Sequence, residues 1–139
     1  MSTRSNIGII NRDGTIEMIY CQSDGYPSWN GRILLENYSN EDKVRALLAL
    51  GDISSLDQEI GEQHDFDENY ELAQRNHWTH AYGRDRGETD VNSRTVADLT
   101  KAVSAMEEYL YLWDCKTNTW LYSDHGKRIK PLTPKACKK

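Results

Sequence analysis

The chain has 139 residues, of which 37% are hydrophobic and 28% are charged, and its formal net charge is -5. A chain of this length can form one domain around one hydrophobic core, and its eight Tyr and four Trp supply large side chains that disordered chains lack. No run approaches the roughly 20 consecutive apolar residues of a membrane helix, and the first residues do not have the layout of a signal peptide. The odd number of cysteines, three, indicates a reducing compartment. We therefore expect a cytoplasmic protein that does not enter a membrane.

The charges are distributed unevenly along the chain. Residues 46–74 contain eight acids and no Lys or Arg, whereas the last thirteen residues contain six bases and no acid. Charge runs of this kind usually form solvated surface. We expect a single α+β domain over residues 1–126 and a basic, mobile C-terminal tail over residues 127–139.

A β-hairpin is predicted over residues 6–22. Asp13-Gly14 separates two β-prone runs, and this dipeptide is a strong hairpin signal because Gly readily adopts the positive φ that tight turns require. The apolar residues of both runs recur with period two, so we expect them to share one buried face. They are Ile7, Ile9, Ile16, Met18 and Tyr20.

Two helices are predicted next, over residues 30–38 and 41–50, after a loop of turn-forming residues at 24–28. Ser39 or Asn40 can cap the second helix, and Gly51 ends it. The acidic residues that follow indicate one or two further helical turns and then a polar loop.

The second half of the chain begins with a predicted strand over residues 77–82 and a loop over 83–88. A helix over residues 95–106 follows, and a second hairpin then pairs residues 109–113 with 120–122. The order ββ-αα-β-α-ββ predicts an α+β fold with an antiparallel sheet of about five strands, two hairpins plus one strand, and with helices packed on one face.

The sequence lacks the spacing motifs of common enzymes and metal sites, including CxxC, HExxH, glycine-rich phosphate loops and GxSxG. His77 and His80 stand at i and i+3 on a predicted strand, where their side chains point to opposite faces. Cys21 lies in an apolar run, which is typical of a buried core cysteine rather than a nucleophile. The sequence therefore predicts no catalytic residue, no metal and no cofactor, although it leaves open whether any catalysis occurs.

Polar and aromatic residues gather in three segments that flank the predicted strands. Arginine offers a planar set of donors for phosphate, aromatic rings can stack a base, and neighbouring glycines let backbone amides approach an anion. The alternative is that the charged residues at 84–88 form a surface ion-pair network without a ligand. The candidate ligand-binding residues are Thr3, Arg4, Ser5, Asp24, Tyr26, Trp29, Tyr82, Arg84, Asp85 and Arg86.

Several stretches, which together cover most of the chain, carry a resemblance to a known family. They are Met1-Ser2-Thr3-Arg4-Ser5, Ile19-Tyr20-Cys21 with Asp24-Gly25-Tyr26, Gly31-Arg32-Ile33-Leu34-Leu35, Leu50-Gly51-Asp52 with Ser55-Leu56, and Ala81-Tyr82-Gly83-Arg84-Asp85-Arg86-Gly87-Glu88. In these stretches the chain resembles a family of small phage and prophage accessory proteins, in which His and Trp usually stand where this chain has Gln22 and Ser23. The resemblance implies a phage accessory protein and no particular reaction.

Small phage accessory proteins without catalytic motifs often counter host defence. We therefore expect a non-catalytic binding protein that sequesters a small nucleotide-derived signal in the host cell cytoplasm. Its arginines would bind the phosphates of this small phosphorylated ligand, and its aromatic rings would stack the base or ribose. The alternating aromatic residues of the C-terminal hairpin also indicate a homo-oligomer.

Two alternatives to nucleotide binding remain at this point. In the first, the protein is a protein-directed inhibitor of the anti-CRISPR or anti-restriction type, and the acidic residues 52–71 mimic nucleic acid toward a host defence protein. In the second, it is a metal-dependent hydrolase that uses a divalent ion. The hydrolase residues would be Asp24, Asp85, Arg86 and Glu88.

Overall fold

The computed structural model describes residues 3–65 and 70–138 of the chain. These residues contain a mixed β-sheet of eight strands. The strands are β1 (Ser5–Ile10), β2 (Ile16–Cys21), β3 (Ile53–Ser55), β4 (His80–Ala81), β5 (Arg94–Val96), β6 (Tyr109–Asp114), β7 (Thr119–Asp124) and β8 (Lys130–Pro131). The helices are a π-helical turn (Pro27–Gly31), α1 (Arg32–Asn37), α2 (Glu41–Ala49), α3 (Tyr70–Arg75), α4 (Tyr82–Arg86) and α5 (Leu99–Ser104). The strand order is β4-β3-β2-β1-β6-β7-β8, and β5 pairs with β2 beside this path.

The α+β class and both predicted hairpins are confirmed, but the sheet is larger than predicted and not purely antiparallel. β1 pairs with β2 and β6 pairs with β7 in antiparallel register. In contrast, β1 runs parallel to β6, and β2 runs parallel to β3 where Cys21 pairs with Ile53. Turn signals reveal only strands that follow each other directly, whereas parallel pairs need long crossover connections that leave no local signature. The prediction of an antiparallel sheet is therefore wrong.

The N-terminal hairpin buries both of its faces rather than one. In its register Ile7 stands opposite Ile19, whereas Met18 and Ile16 stand opposite Gly8 and Ile10, one and three positions along β1, and so point to the other side. Ile7 and Ile19 belong to a larger core, and Ile16 and Met18 belong to a smaller one. The period of two is correct within each strand, but it does not fix how two strands are aligned.

Helices cover both faces of the sheet, so the prediction that they lie on one face is also wrong. Leu34 of α1 and Leu47 of α2 pack in the larger core, whereas Ala102 of α5 packs in the smaller core. None of the helices within residues 3–65 and 70–138 is long and apolar enough to cross a membrane.

Local signals predicted α2 well and failed where a neighbouring strand decides the conformation. Asn40 caps α2, with its side chain accepting a hydrogen bond from the Lys43 amide at 2.8 Å. Residues 53–55, predicted to be helical, instead form a strand between β2 and β4. Residues 82–86, predicted partly as strand and partly as loop, form α4, which ends at the left-handed Gly87.

The basic C-terminal residues pack onto the sheet, which differs from the mobile tail that the sequence predicts. β8 pairs with β7, and Leu132 and Cys137 are buried in the larger core. The aromatic residues of the C-terminal hairpin are buried as well, so they no longer support a homo-oligomer. These residues are Tyr111, Trp113, Trp120 and Tyr122.

Candidate functional site

A small polar cavity of about 190 Å³ lies between the turn at Asp24, strand β3 and the segment that enters β4. Two of the predicted ligand-binding residues contribute to it, Asp24 and Trp29. Residues from three other parts of the chain complete the polar and aromatic lining, among them Ser55, Asp57, Trp78 and His80. The cavity is therefore the place where the fold gathers chemically active side chains.

The turn at Asp24 is held in an unusual conformation. Asp24 has a positive φ of 56°, which Asp tolerates better than most residues. Its carbonyl accepts a hydrogen bond from the Asn30 amide at 3.2 Å, and its carboxylate accepts one from the Tyr26 hydroxyl at 3.2 Å. The Asn30 side chain is fully buried and donates to the Ser23 carbonyl at 3.0 Å. These bonds fix the direction of the Asp24 carboxylate on the cavity wall.

Two buried histidines form a directed hydrogen-bond chain behind this wall. His64 Nδ1 lies 2.8 Å from the Glu62 carbonyl and 3.5 Å from a carboxylate oxygen of Asp85, and both of these atoms can only accept. Nδ1 of His64 must therefore carry the proton. When His64 is neutral, its Nε2 accepts from Nδ1 of His80 at 2.7 Å. This chain fixes the tautomer and the ring orientation of His80, which lines the cavity.

Asp85 anchors the same region through four hydrogen bonds to its buried carboxylate. The backbone amides of His64 and Ala81 donate to it at 3.1 and 2.8 Å. Arg84 donates from Nε at 2.9 Å and from Nη2 at 3.1 Å. The Arg84 guanidinium also donates to the carbonyls of Ile60 and Thr79, both at 2.8 Å. Arg84 and Asp85 thus tie together the chain segments that form the back of the cavity.

His64, His80 and Asp85 are also the one group, within the described part of the chain, whose ligand atoms lie close enough to hold a metal ion. Two observations weigh against this role. The two histidine nitrogens are 2.7 Å apart, whereas two nitrogens on one tetrahedral ion are separated by about 3.3 Å. Both carboxylate oxygens of Asp85 already accept bonds from Arg84 and from backbone amides. The cluster therefore fits a positioning role better than a metal site.

Comparisons with known proteins found no relative whose function could help to interpret this site. No family model, curated protein or solved structure matches the chain. The chemistry of the cavity therefore has to follow from its own residues.

The other predicted ligand-binding residues do not line the cavity. The carbonyl of Thr3 accepts from Gly25, and the buried hydroxyl of Ser5 lies 3.4 Å from Nδ2 of Asn30, so both residues support the turn. Arg4 is exposed, and its amide donates to Glu108.

Tyr82 and Arg86 face elsewhere. The Tyr82 hydroxyl bonds to Gln22, and Arg86 lies 3.5 Å from Glu88 at the exposed end of α4. Glu88 lines a separate groove beside α2, so the residues of the predicted hydrolase do not converge on one cavity.

Sequence reasoning missed His64, Asp57 and Trp78. His64 lies in a polar segment predicted to be a loop, and nothing in its neighbours indicates that it is buried against His80. Asp57 was one of many acids in the acidic run, and of these Asp67 and Glu68 lie outside the described residues. The pairing of the segments around β3 and β4 places Asp57 and Trp78, and hydrogen bonds to His80 and Asp85 place His64. One sequence does not reveal such contacts.

The folded state should become less stable as the pH falls below about 4, because Asp85 then begins to be protonated. Burial alone raises the pKa of Asp85, but the hydrogen bonds from Arg84, Ala81 and His64 outweigh it and hold the pKa below the usual 3.8. A carboxyl with a lowered pKa contributes stability above its unfolded pKa and loses it as the pH falls through the folded pKa. Urea unfolding at a series of pH values should show this loss, and Asp85→Asn should reduce it. An unchanged pH dependence in Asp85→Asn would contradict the assignment.

Proposed function

We propose that this protein is a non-catalytic binding protein whose cavity receives one cationic side chain, Lys or Arg, from a partner protein. The observation that carries this proposal is the pairing of two carboxylates, Asp24 and Asp57, with two indole rings, Trp29 and Trp78, in one cavity. Carboxylates and aromatic faces both attract a cation, and neither attracts a phosphate.

The charge of the two carboxylates is not balanced by Lys or Arg in the described residues. Asp57 lies 3.5 Å from the His77 ring, and Asp24 forms no ion pair there. One oxygen of each carboxylate accepts a hydrogen bond, from Tyr26 and from the Gln58 amide, respectively. The other oxygen of each accepts none from the described residues, so it can accept one from an incoming ammonium or guanidinium group.

The size of the cavity favours a side chain over a nucleotide. Its volume of about 190 Å³ is below the roughly 300 to 1,000 Å³ of most small-molecule sites. The predicted phosphate ligand Arg84 uses its guanidinium on Asp85 and on two carbonyls. The cavity therefore supports the protein-directed alternative better than it supports capture of a nucleotide-derived signal.

We infer the kind of partner from the resemblance and from charge. Part of the cavity wall, including Ser55 and Asp57, comes from the acidic stretch 52–71 that the sequence analysis connects with a basic host protein. An acidic surface attracts such a partner at long range, and a cavity for one cation then gives the contact a defined geometry. A phage protein of this kind would occlude a basic surface of a host defence protein.

Amidated amino acids test the cavity directly. Nα-acetyl-arginine amide and Nα-acetyl-lysine amide should bind saturably in fluorescence titrations of the cavity tryptophans, because a cation would approach Trp29 and Trp78. Nα-acetyl-citrulline amide, which has the shape of arginine without its charge, should bind at least about tenfold more weakly, a difference of about 1.4 kcal/mol.

Matched variants locate the binding site. The double variant Asp24→Asn, Asp57→Asn should lose at least about tenfold in affinity for the arginine amide, whereas Glu88→Gln, which removes a charge outside the cavity, should not change it. Equal binding of the citrulline and arginine amides, or unchanged binding by the double variant, would refute the proposal. Tight binding of cyclic nucleotides at Trp29 and Trp78 would restore the nucleotide hypothesis instead.

A further inference from the structure

A second groove lies on the other side of the sheet, where α5 meets the segment between β7 and β8. It has a volume of about 500 Å³ and is lined by apolar side chains of α5, Leu99 and Val103, and by Ile129 from the facing segment. An adjoining groove of about 400 Å³ shares Ile129 and continues along β8. Val103 and Ile129 pack against the smaller core, whereas the cavity at Asp24 includes Leu56 of the larger core. The two sites are therefore separate.

Two basic residues, Lys127 and Arg128, line both grooves. Both side chains are exposed, and neither has an acidic partner within ion-pair distance among the described residues. Asp124, the nearest acid along the chain, bonds to His125 instead. On a chain with a net charge of -5, this pair forms a local positive site that no acid of residues 3–65 and 70–138 neutralises.

A tight turn sets the position of this basic pair. His125 and Gly126 both have a positive φ, of 53° and 79°, and the Lys127 amide donates to the Asp124 carbonyl at 3.0 Å. The Lys127 carbonyl in turn accepts a hydrogen bond from the Ser123 hydroxyl at 2.6 Å. The backbone that presents the basic residues is therefore ordered before a ligand binds, which reduces the entropic cost of binding.

We propose that this groove binds a small phosphorylated molecule with an aromatic or apolar body. Leu99, Val103 and Ile129 would bury the body, and Lys127 and Arg128 would bind the phosphate, for which their donors are well suited. The groove is open to solvent, and its volume of about 500 Å³ lies within the roughly 300 to 1,000 Å³ of small-molecule sites, so its size suits a ligand no larger than a mononucleotide. This groove is independent of the proposed cation cavity. Its residues are not among the ligand-binding residues that the sequence predicts.

Phenyl phosphate and its two halves test whether one site recognises both parts of such a ligand. Phenyl phosphate and adenosine monophosphate should each shift the backbone amide signals of Val103, Gly126 and Ile129 saturably in ¹⁵N-¹H correlation spectra. Phenol and inorganic phosphate should each bind at least about tenfold more weakly than phenyl phosphate. Inorganic phosphate that binds as tightly as phenyl phosphate would overturn the proposal, because it would indicate attraction of any anion.

Charge variants in the full chain complete the test. Lys127→Gln with Arg128→Gln should weaken phenyl phosphate binding at least about tenfold, whereas Lys116→Gln, in the exposed turn between β6 and β7, should leave it unchanged. Equal losses in both variants, or no saturable shift in the millimolar range, would refute the proposal. An acidic amphipathic peptide that shifts these amides when phenyl phosphate does not would refute it as well, in favour of a protein ligand.

Discussion

Replacing Asp85 with Ala should lower the free energy of unfolding by about 3 to 5 kcal/mol. The side chain is fully buried and accepts hydrogen bonds from Arg84 and from the amides of His64 and Ala81. Its removal leaves a largely buried guanidinium without its counter-charge and two amides without their acceptor, and each loss carries a desolvation cost. Urea unfolding followed by circular dichroism measures the change.

Glu88 provides the matched control for Asp85, because it also pairs with an arginine of α4. The Arg86–Glu88 pair is exposed, with side-chain exposures of 54% and 42% and a separation of 3.5 Å. Glu88→Ala should therefore cost at most about 1 kcal/mol. Similar losses in the two variants would show that the Arg84–Asp85 pair is not the anchor that its contacts indicate.

The Asp85 variant should also disturb the cavity, since the Arg84 guanidinium that Asp85 binds also donates to the carbonyls of Ile60 and Thr79. Under conditions where the variant remains folded, it should bind the arginine amide more weakly than the wild type. Glu88→Ala should bind it normally. Loss of stability without any loss of binding would indicate that the Arg84–Asp85 pair and the cavity are independent.

Replacing Gly51 with Ala should destabilise the protein by between about 2 and 5 kcal/mol. Gly51 has a φ of +75°, and a Cβ atom at this position would lie 2.2 Å from the Val91 carbonyl oxygen. The left-handed conformation costs a non-glycine residue about 1 to 2 kcal/mol, and the clash with backbone adds about 1 to 3 kcal/mol. Chemical denaturation gives the total.

Gly87 separates these two contributions. It has the same φ of +75°, but no atom lies within 4 Å of the position that its Cβ would occupy. Gly87→Ala should therefore show the conformational cost alone, about 1 to 2 kcal/mol. If the two variants are equally destabilised, the close approach of Val91 to Gly51 does not constrain the fold.

Gly51 matters to the fold because of the residue that follows it. The carboxylate of Asp52 accepts a hydrogen bond from the Tyr20 amide at 2.9 Å and one from Arg94 at 3.0 Å, and the Asp52 amide donates to Val91 at 2.7 Å. A shift at Gly51 would therefore loosen the contacts among the end of α2, β2 and β5.

One wall of the candidate cavity could be predicted from the sequence, but the rest of the cavity and its chemistry could not. Asp24 and Trp29 stand in a segment of turn formers and aromatic residues, and the structure places both at the cavity. Arg84 resembles an exposed phosphate ligand in the sequence, between glycines and next to acids. Only the fold shows that its guanidinium is bound to Asp85 and to two carbonyls.

Features that depend on neighbours within a few residues could be predicted from local patterns. The turn at Asp13-Gly14, the cap at Asn40 and the two hairpins all follow from short-range hydrogen bonds and backbone preferences. Long-range contacts set the parallel pairing of β1 with β6, the burial of both sheet faces and the hydrogen bond between His64 and His80. These features join residues far apart in the chain, and their stability comes from burying apolar surface and satisfying buried polar groups together, which no local pattern encodes.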